Sequence, residues 1–168
     1  MVNSITEDKL IKKTLVSAKT IAMVGVSLIK EDDTSIIVRR RPSIIVMKYL
    51  QEFGYRVIPV NPFSAGKKIN GETAVDKLED ITIPIDVVNL FRPSKEAPIF
   101  AEQTVKIGAK VLWLQFGIQN LEAQKIVESA NITYIANRCI KQEYQKLFLK
   151  MSPVFPVLQQ NMGKKNSN

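Results

Sequence analysis

The side chains best placed to do chemistry in this sequence are ones that grip anions, and they stand at the ends of apolar runs. The first run, TIAMVGV, closes on Gly25 and Val26 and is followed by Ser27. A glycine there lets the backbone turn tightly and lets a phosphate approach, and Ser27 adds a hydroxyl and a backbone donor. The further glycines of a dinucleotide fingerprint are missing, because Ser27 and Lys30 stand two and five residues after Gly25. Residues 27–41 are long for a strand-to-helix connection, which usually takes about 2–6 residues, and they end in Arg39, Arg40 and Arg41. They read either as a lid over a ligand phosphate or as a surface insertion. Pro42 and Ser43 then open a helix whose free N–H groups and dipole attract anions.

A second run, YRVIPVNP, ends at Val60, Asn61 and Pro62. A NAD site places an acid at this point to accept both ribose hydroxyls. Here Asn61 takes that position, no carboxylate follows until Glu72, and Lys67 and Lys68 come between. The exchange suits an adenosine with a phosphate on its ribose; the plainer alternative is a proline-stiffened turn with two solvated lysines. After the third run, Phe91 can wall an adenine or an aliphatic arm. Arg92 beside it can fork onto a phosphate or pair with a nearby carboxylate. Gln115 at the tip of the fourth run is expected to aim a polar group at the cleft, while Trp113 suits core and ligand wall equally. Cys139 ends the fifth run, next to Arg138, and reads as a small structural cysteine, since a thiol nucleophile needs a base.

Composition removes much of ordinary enzyme chemistry. The chain has 168 residues and no histidine, which excludes Ser-His-Asp and Cys-His pairs, phosphohistidine and His-ligated zinc. Its single cysteine excludes an internal disulfide framework and any multi-cysteine metal site. The formal net charge of +8 admits nucleic acid, a membrane surface or a small polyanion as partner. Outside Arg39–Arg41, Lys67-Lys68 and Lys164-Lys165, the bases are interleaved with acids. No apolar run approaches a membrane span, and the opening MVNSITEDKLIKK lacks a signal core, so a cytoplasmic protein is expected.

The elements that must position these groups follow from periodicity. Ser4-x-x-Glu7 is a capping-box pattern, and Leu10, Ile11, Leu15 and Ala18 recur at helical spacing, predicting a helix over 5–18 packed on the main body. Strands are expected at TIAMVGV, YRVIPVNP, PIDVVNLFRP, AKVLWLQFG and ITYIANRC. Between them helices are expected at SIIVMKYLQEFG, near 73–79, from an Ser94 cap to a Gly108 stop, at NLEAQKIVESAN, and near 141–149. Alternating strands and helices predict an α/β fold: a doubly wound parallel five-stranded sheet, Rossmann-like, in the order 3-2-1-4-5, with helices on both faces. Residues 1–150 form one domain in this reading and 151–168 a flexible tail. Ligands of such sheets sit beyond the carboxyl ends of the strands, near the switch point.

In order, the segments IAMVGVS, RPSIIVMKYLQEFGYRVIPVNP, INGETAVDKLEDI, IDVVNLFRPS, GAKVLWLQFGI and NRCIKQEY resemble the small stand-alone CoA-binding proteins. Their Rossmann domain is similar to the CoA-binding domain of the succinyl-CoA synthetase alpha subunit. The resemblance spans roughly residues 15–148. It implies coenzyme A or an acyl-CoA bound across the strand tips. Gly25, Val26 and Ser27 would then meet the diphosphate, with Ser43 near it. Val60, Asn61 and Pro62 would border the adenosine, Lys67 or Lys68 would lie near the 3′-phosphate, and Phe91, Arg92 and Gln115 would line the opposite side. The synthetases depend on a phosphorylated histidine in another domain, so their ligase activity does not carry over.

The function expected is therefore binding of CoA or acyl-CoA without catalytic machinery of its own. The partners expected are a small-molecule CoA ligand, no nucleic acid and no membrane, with self-association left open. Two rivals remain. A nicotinamide-dependent oxidoreductase or redox sensor would need the missing acid and glycines, and Tyr144 and Lys146, two apart, sit on different sides of a helix. A basic nucleic-acid-binding module would need its cations on one face.

Overall fold

A computed structural model of the chain describes residues 4–27 and 41–150. The expected lid with Arg39 and Arg40, and the expected tail 151–168, lie outside the described residues. Five parallel strands form the main sheet: β1 (Thr20–Val24), β2 (Arg56–Val60), β5 (Val87–Leu90), β6 (Val111–Leu114) and β7 (Thr133–Ile135). Between β2 and β5 lies a small antiparallel hairpin of β3 (Lys68–Ile69) and β4 (Glu72–Thr73). The helices are α1 (Ser4–Ser17), α2 (Pro42–Glu52), α3 (Ala97–Ile107), α4 (Leu121–Ser129) and α5 (Ile140–Phe148). No helix among the described residues is long and apolar enough to cross a membrane.

Alternation along each strand divides the core in two. Ile21, Met23, Val87 and Trp113 face one side with Ile11, Leu15, Val46, Met47, Leu50 and Ile140, so α1, α2 and α5 cover that face. Ala22, Val24, Val88, Leu90, Leu112 and Leu114 face the other side with Ala97, Ala101, Ala123 and Val127 of α3 and α4. Trp113 is core: it is fully buried and its Nε1 donates to the Arg138 carbonyl at 2.8 Å. Leu10 departs from the expected buried stripe of α1 and is 37% exposed.

The strand order corrects the expectation. The sheet runs β2-β1-β5-β6-β7, which is 2-1-3-4-5 in the five-strand count used above, not 3-2-1-4-5. Pro59 explains it. The Val75 N–H donates to the Pro59 carbonyl at 3.0 Å, and the Asn61 N–H donates to the Val75 carbonyl at 2.9 Å. The outward-facing groups of β2 are therefore those of Pro59 and Asn61. A proline has no N–H to give on that side, so β2 can only be an edge strand. Among the described residues only an isolated bridge at Val75 pairs there, and the next sheet strand crosses to the free side of β1. The switch point thus lies between β1 and β5.

The helix expected near 73–79 is also replaced. Asn70 and Gly71, at φ 47° and 84°, make the two-residue turn of the hairpin, and Leu78–Asp80 forms a single 3-10 turn. Ser94 is not the cap of α3. Ser94–Glu96 is a 3-10 turn and Glu96 precedes the helix, while Gly108 ends it in the left-handed region as expected.

Candidate functional site

A cavity of about 340 Å³ opens at the carboxyl ends of β1, β2 and β5, on the face covered by α3. Its lining includes Gly25, Ser27, Val60, Asn61, Pro62 and Arg92 of the residues expected from sequence, together with Phe63, Asp76, Lys77, Glu96, Phe100 and Gln103. Small-molecule sites typically span about 300–1,000 Å³, so the space suits a nucleoside-sized group.

Gly25 makes the switch point possible. Its φ is +93°, and a Cβ there would stand 2.9 Å from the Phe91 carbonyl oxygen and 3.1 Å from Arg92 Cδ. The Gly25 N–H donates to the Val60 carbonyl at 2.9 Å and the Phe91 N–H donates to the Val24 carbonyl at 2.9 Å. Three strand ends therefore converge with no room for a side chain between them.

Asn61 is a fastener. It is 8% exposed; its Nδ2 donates to the Val26 carbonyl at 2.8 Å and its Oδ1 accepts from the Phe63 N–H at 3.0 Å. The first bond ties the β2 exit to the β1 exit. The second caps the 3-10 turn Pro62–Ser64 and sets Phe63 at the mouth of the cavity, where it is 93% exposed. The capped turn thus presents an aromatic face to solvent at the cavity's edge.

Arg92 is engaged by its own chain. Its Nε and Nη2 donate to the two carboxylate oxygens of Glu96, each at 2.8 Å. The Glu96 carboxylate holds the guanidinium above its ordinary range, and Arg92 holds Glu96 below the usual carboxylate range. A ligand phosphate reaching Arg92 must compete with that fork. Lys77 and Asp76 bring one charge of each sign to the lining, and the Gln103 Oε1 is buried with no partner among the described residues.

The other expected residues lie elsewhere. Lys67 and Lys68 are exposed on the hairpin side and do not line the cavity, whose lysine is Lys77. Val26 and Ser43 are buried, and Phe91 packs half-buried against the core of the opposite face. Gln115 does not aim into this cavity: it is 4% exposed, and its Oε1 accepts from the Ile140 N–H at 3.1 Å, where α5 begins. Cys139 precedes that helix, half-buried against the same core. Sequence reasoning missed Phe63, although Asn61-Pro62 signals a capped turn that would hold it. It also missed Asp76, the acid that the fold delivers to the second strand's end from beyond the hairpin.

Comparison with known proteins places the chain in a family. Residues 19–145 match the model of the family described as "CoA binding domain". The chain is 39% identical over 131 residues to the uncharacterized protein YneT of Bacillus subtilis, covering 78% of this chain and 89% of that one. Among solved structures it is similar to the "cell-free ID.343" protein of Thermus thermophilus, at 35% identity and TM-score 0.73 over 84% of this chain and 98% of that one. A hypothetical protein of Pyrococcus horikoshii matches at 38% identity and TM-score 0.72, over 83% of this chain and 91% of that one.

Proposed function

The chain belongs to the CoA binding domain family, and from that premise we propose that it binds coenzyme A or an acyl-CoA at the carboxyl ends of β1, β2 and β5. The single observation that carries the reading is the cavity at the switch point, which joins an exposed aromatic ring, Phe63, to the cations Lys77 and Arg92. In this reading adenine stacks on Phe63, Lys77 and Arg92 take the ribose phosphate, and the diphosphate lies over Gly25 and Ser27. The expected roles of Val60, Asn61 and Pro62 become those of a wall and its fastener. Lys67 and Lys68 contribute charge from a distance, where salt screens them strongly. Binding rather than turnover is the proposed role, in keeping with a chain that has no histidine.

Asp76 favours one second reading. A carboxylate in the cavity lining could accept ribose hydroxyls, as in a NAD site. Isothermal titration with CoA, NAD and NADP separates the two. Binding of CoA with no heat from NAD supports the proposal; binding of NAD with no heat from CoA overturns it.

A further inference from the structure

We propose that the outer face of α1, with the groove beside it at the amino ends of the sheet, docks an acidic segment of a partner protein that seats one apolar side chain in the groove. The inference stands apart from the CoA reading, because this surface lies at the opposite ends of the strands from the cavity at Gly25. In the sequence Glu7 and Asp8 directly precede Lys9, Lys12 and Lys13, but the helix separates the two signs. Ile11, Thr14 and Leu15 turn inward. Glu7 and Asp8 flank that buried stripe and are engaged by α5: Arg138 Nη2 donates to Glu7 Oε2 at 2.8 Å, and Lys146 Nζ donates to the two Asp8 carboxylate oxygens at 2.9 and 3.1 Å. Lys9, Lys12 and Lys13 are left on the exposed side, in no ion pair among the described residues. Asp8 stands four residues before Lys12, a spacing at which opposite charges stabilise a helix, yet it turns to Lys146.

This placement does not serve the helix itself. Lys9 repels Lys12 and Lys13 at i, i+3 and i, i+4, and no basic residue occupies the last turn of α1, where a cation would complement the helix dipole. Like charge that the helix does not use complements an anionic partner. The groove decides which anion. It encloses about 180 Å³, and its lining joins Leu10 and Lys13 of α1 to Val87, Lys110 and Val111 at the starts of β5 and β6. Small-molecule sites usually span about 300–1,000 Å³, so this space fits a single side chain. Val87 and Val111 are buried and give it an apolar floor, with Leu10 exposed at its edge. Asp86 also lines it, but its carboxylate is already held by the Lys19 and Thr20 N–H groups and by Lys110. Val16, 66% exposed beside Lys12 and Lys13 on the helix surface, offers a second apolar contact. A nucleic-acid backbone or a layer of lipid headgroups brings phosphates with no apolar side chain to seat there, and α1 carries no ring on which a base could stack. An acidic peptide brings both parts, carboxylates for the lysines and an apolar group for the groove.

Fluorescence anisotropy at low salt tests this with a labelled glutamate-rich peptide carrying one central leucine, and with the same peptide in which serine replaces the leucine. The wild type is expected to bind the leucine peptide about threefold or more tighter than the serine peptide. Leu10→Ser should erase that preference while leaving the serine peptide unaffected, which also shows that the variant is folded. The double variant Lys9→Gln/Lys13→Gln should weaken both peptides about threefold or more. Because these lysines repel their neighbours, its urea midpoint should be no lower than that of the wild type; a lower one would assign them to the stability of α1 and overturn the inference. Equal affinity for the two peptides, or binding of neither, overturns it as well. So does tighter binding of a DNA duplex or of phosphatidylserine vesicles that is indifferent to Leu10→Ser.

Discussion

Gly25→Ala is the sharpest test of how the rim is built, and Gly54→Ala is its natural control. Both glycines have φ +93°, but a Cβ at Gly54 meets nothing within 4 Å, whereas one at Gly25 comes to 2.9 Å from the Phe91 carbonyl oxygen. The positive-φ penalty for alanine, about 1–2 kcal/mol, is common to both. At Gly25 the backbone must also move, and the bonds from Gly25 to Val60 and from Phe91 to Val24 resist that; strain of this kind adds about 1–3 kcal/mol. The expected losses are about 1–2 kcal/mol for Gly54→Ala and about 2–5 kcal/mol for Gly25→Ala. With a urea m-value of about 2 kcal/mol/M, the midpoints fall by about 0.5–1 M and about 1–2.5 M. Trp113 is the single tryptophan and is fully buried, so its fluorescence reports the transition directly. Equal midpoints for the two variants would show that the contact with Phe91 contributes nothing, and the account of the rim would fail.

Phe63→Ala should weaken CoA binding by about 1–3 kcal/mol, the usual worth of a base–aromatic stack, measured by calorimetry. Its unfolding midpoint should not move, because the ring is 93% exposed. Glu96→Gln releases Arg92 from its fork and should tighten CoA a few-fold at low salt, as charge-assisted bonds to phosphate replace those to the carboxylate; unchanged affinity would mean that Arg92 does not meet the ligand. Asp86 caps the amino ends of the sheet, accepting from the Lys19 and Thr20 N–H groups at 2.8 and 3.1 Å and pairing with Lys110 at 3.1 Å. Burial raises its pKa, but the two backbone donors and Lys110 outweigh that and leave it below the ordinary carboxylate range. A depressed folded pKa gives stability that is present above the unfolded value, near 4, and lost as pH falls through the folded one. Asp86→Asn should therefore be destabilised at pH 7 and approach the wild type as pH falls through the depressed folded value, in urea titrations at each pH.

Most of the fold was legible because strong periodicity and unambiguous stops agree. Gly108 halts α3 in the left-handed region, and the run from Thr20 to Val24 is buried on both faces as its unbroken apolarity requires. The strand order was misjudged although two local signals carried it. Pro59 inside YRVIPV demotes that strand to an edge, and Asn70-Gly71 announces a hairpin just before the stretch near 73–79 where a helix was expected. Of the candidate site, Gly25, Ser27, Asn61 and Arg92 were visible because they end strands. Asp76 and Lys77 were not, because only the fold-back of the hairpin on β2 brings them there. Gln115 stood at a strand tip as expected, but parity turned it to the opposite face from the cavity.

Pro59 also has a consequence for assembly. A strand border is normally an open invitation to a neighbouring chain, since its unpaired amides can be recruited by any extended segment. On the β2 border one of those amides does not exist, and the groups on either side of the gap already serve Val75. A second copy of the chain could not prolong the sheet there by main-chain pairing. Among the described residues of the five-stranded sheet, that leaves the three-residue β7 border for growth by strand addition, whether in a dimer or a fibril.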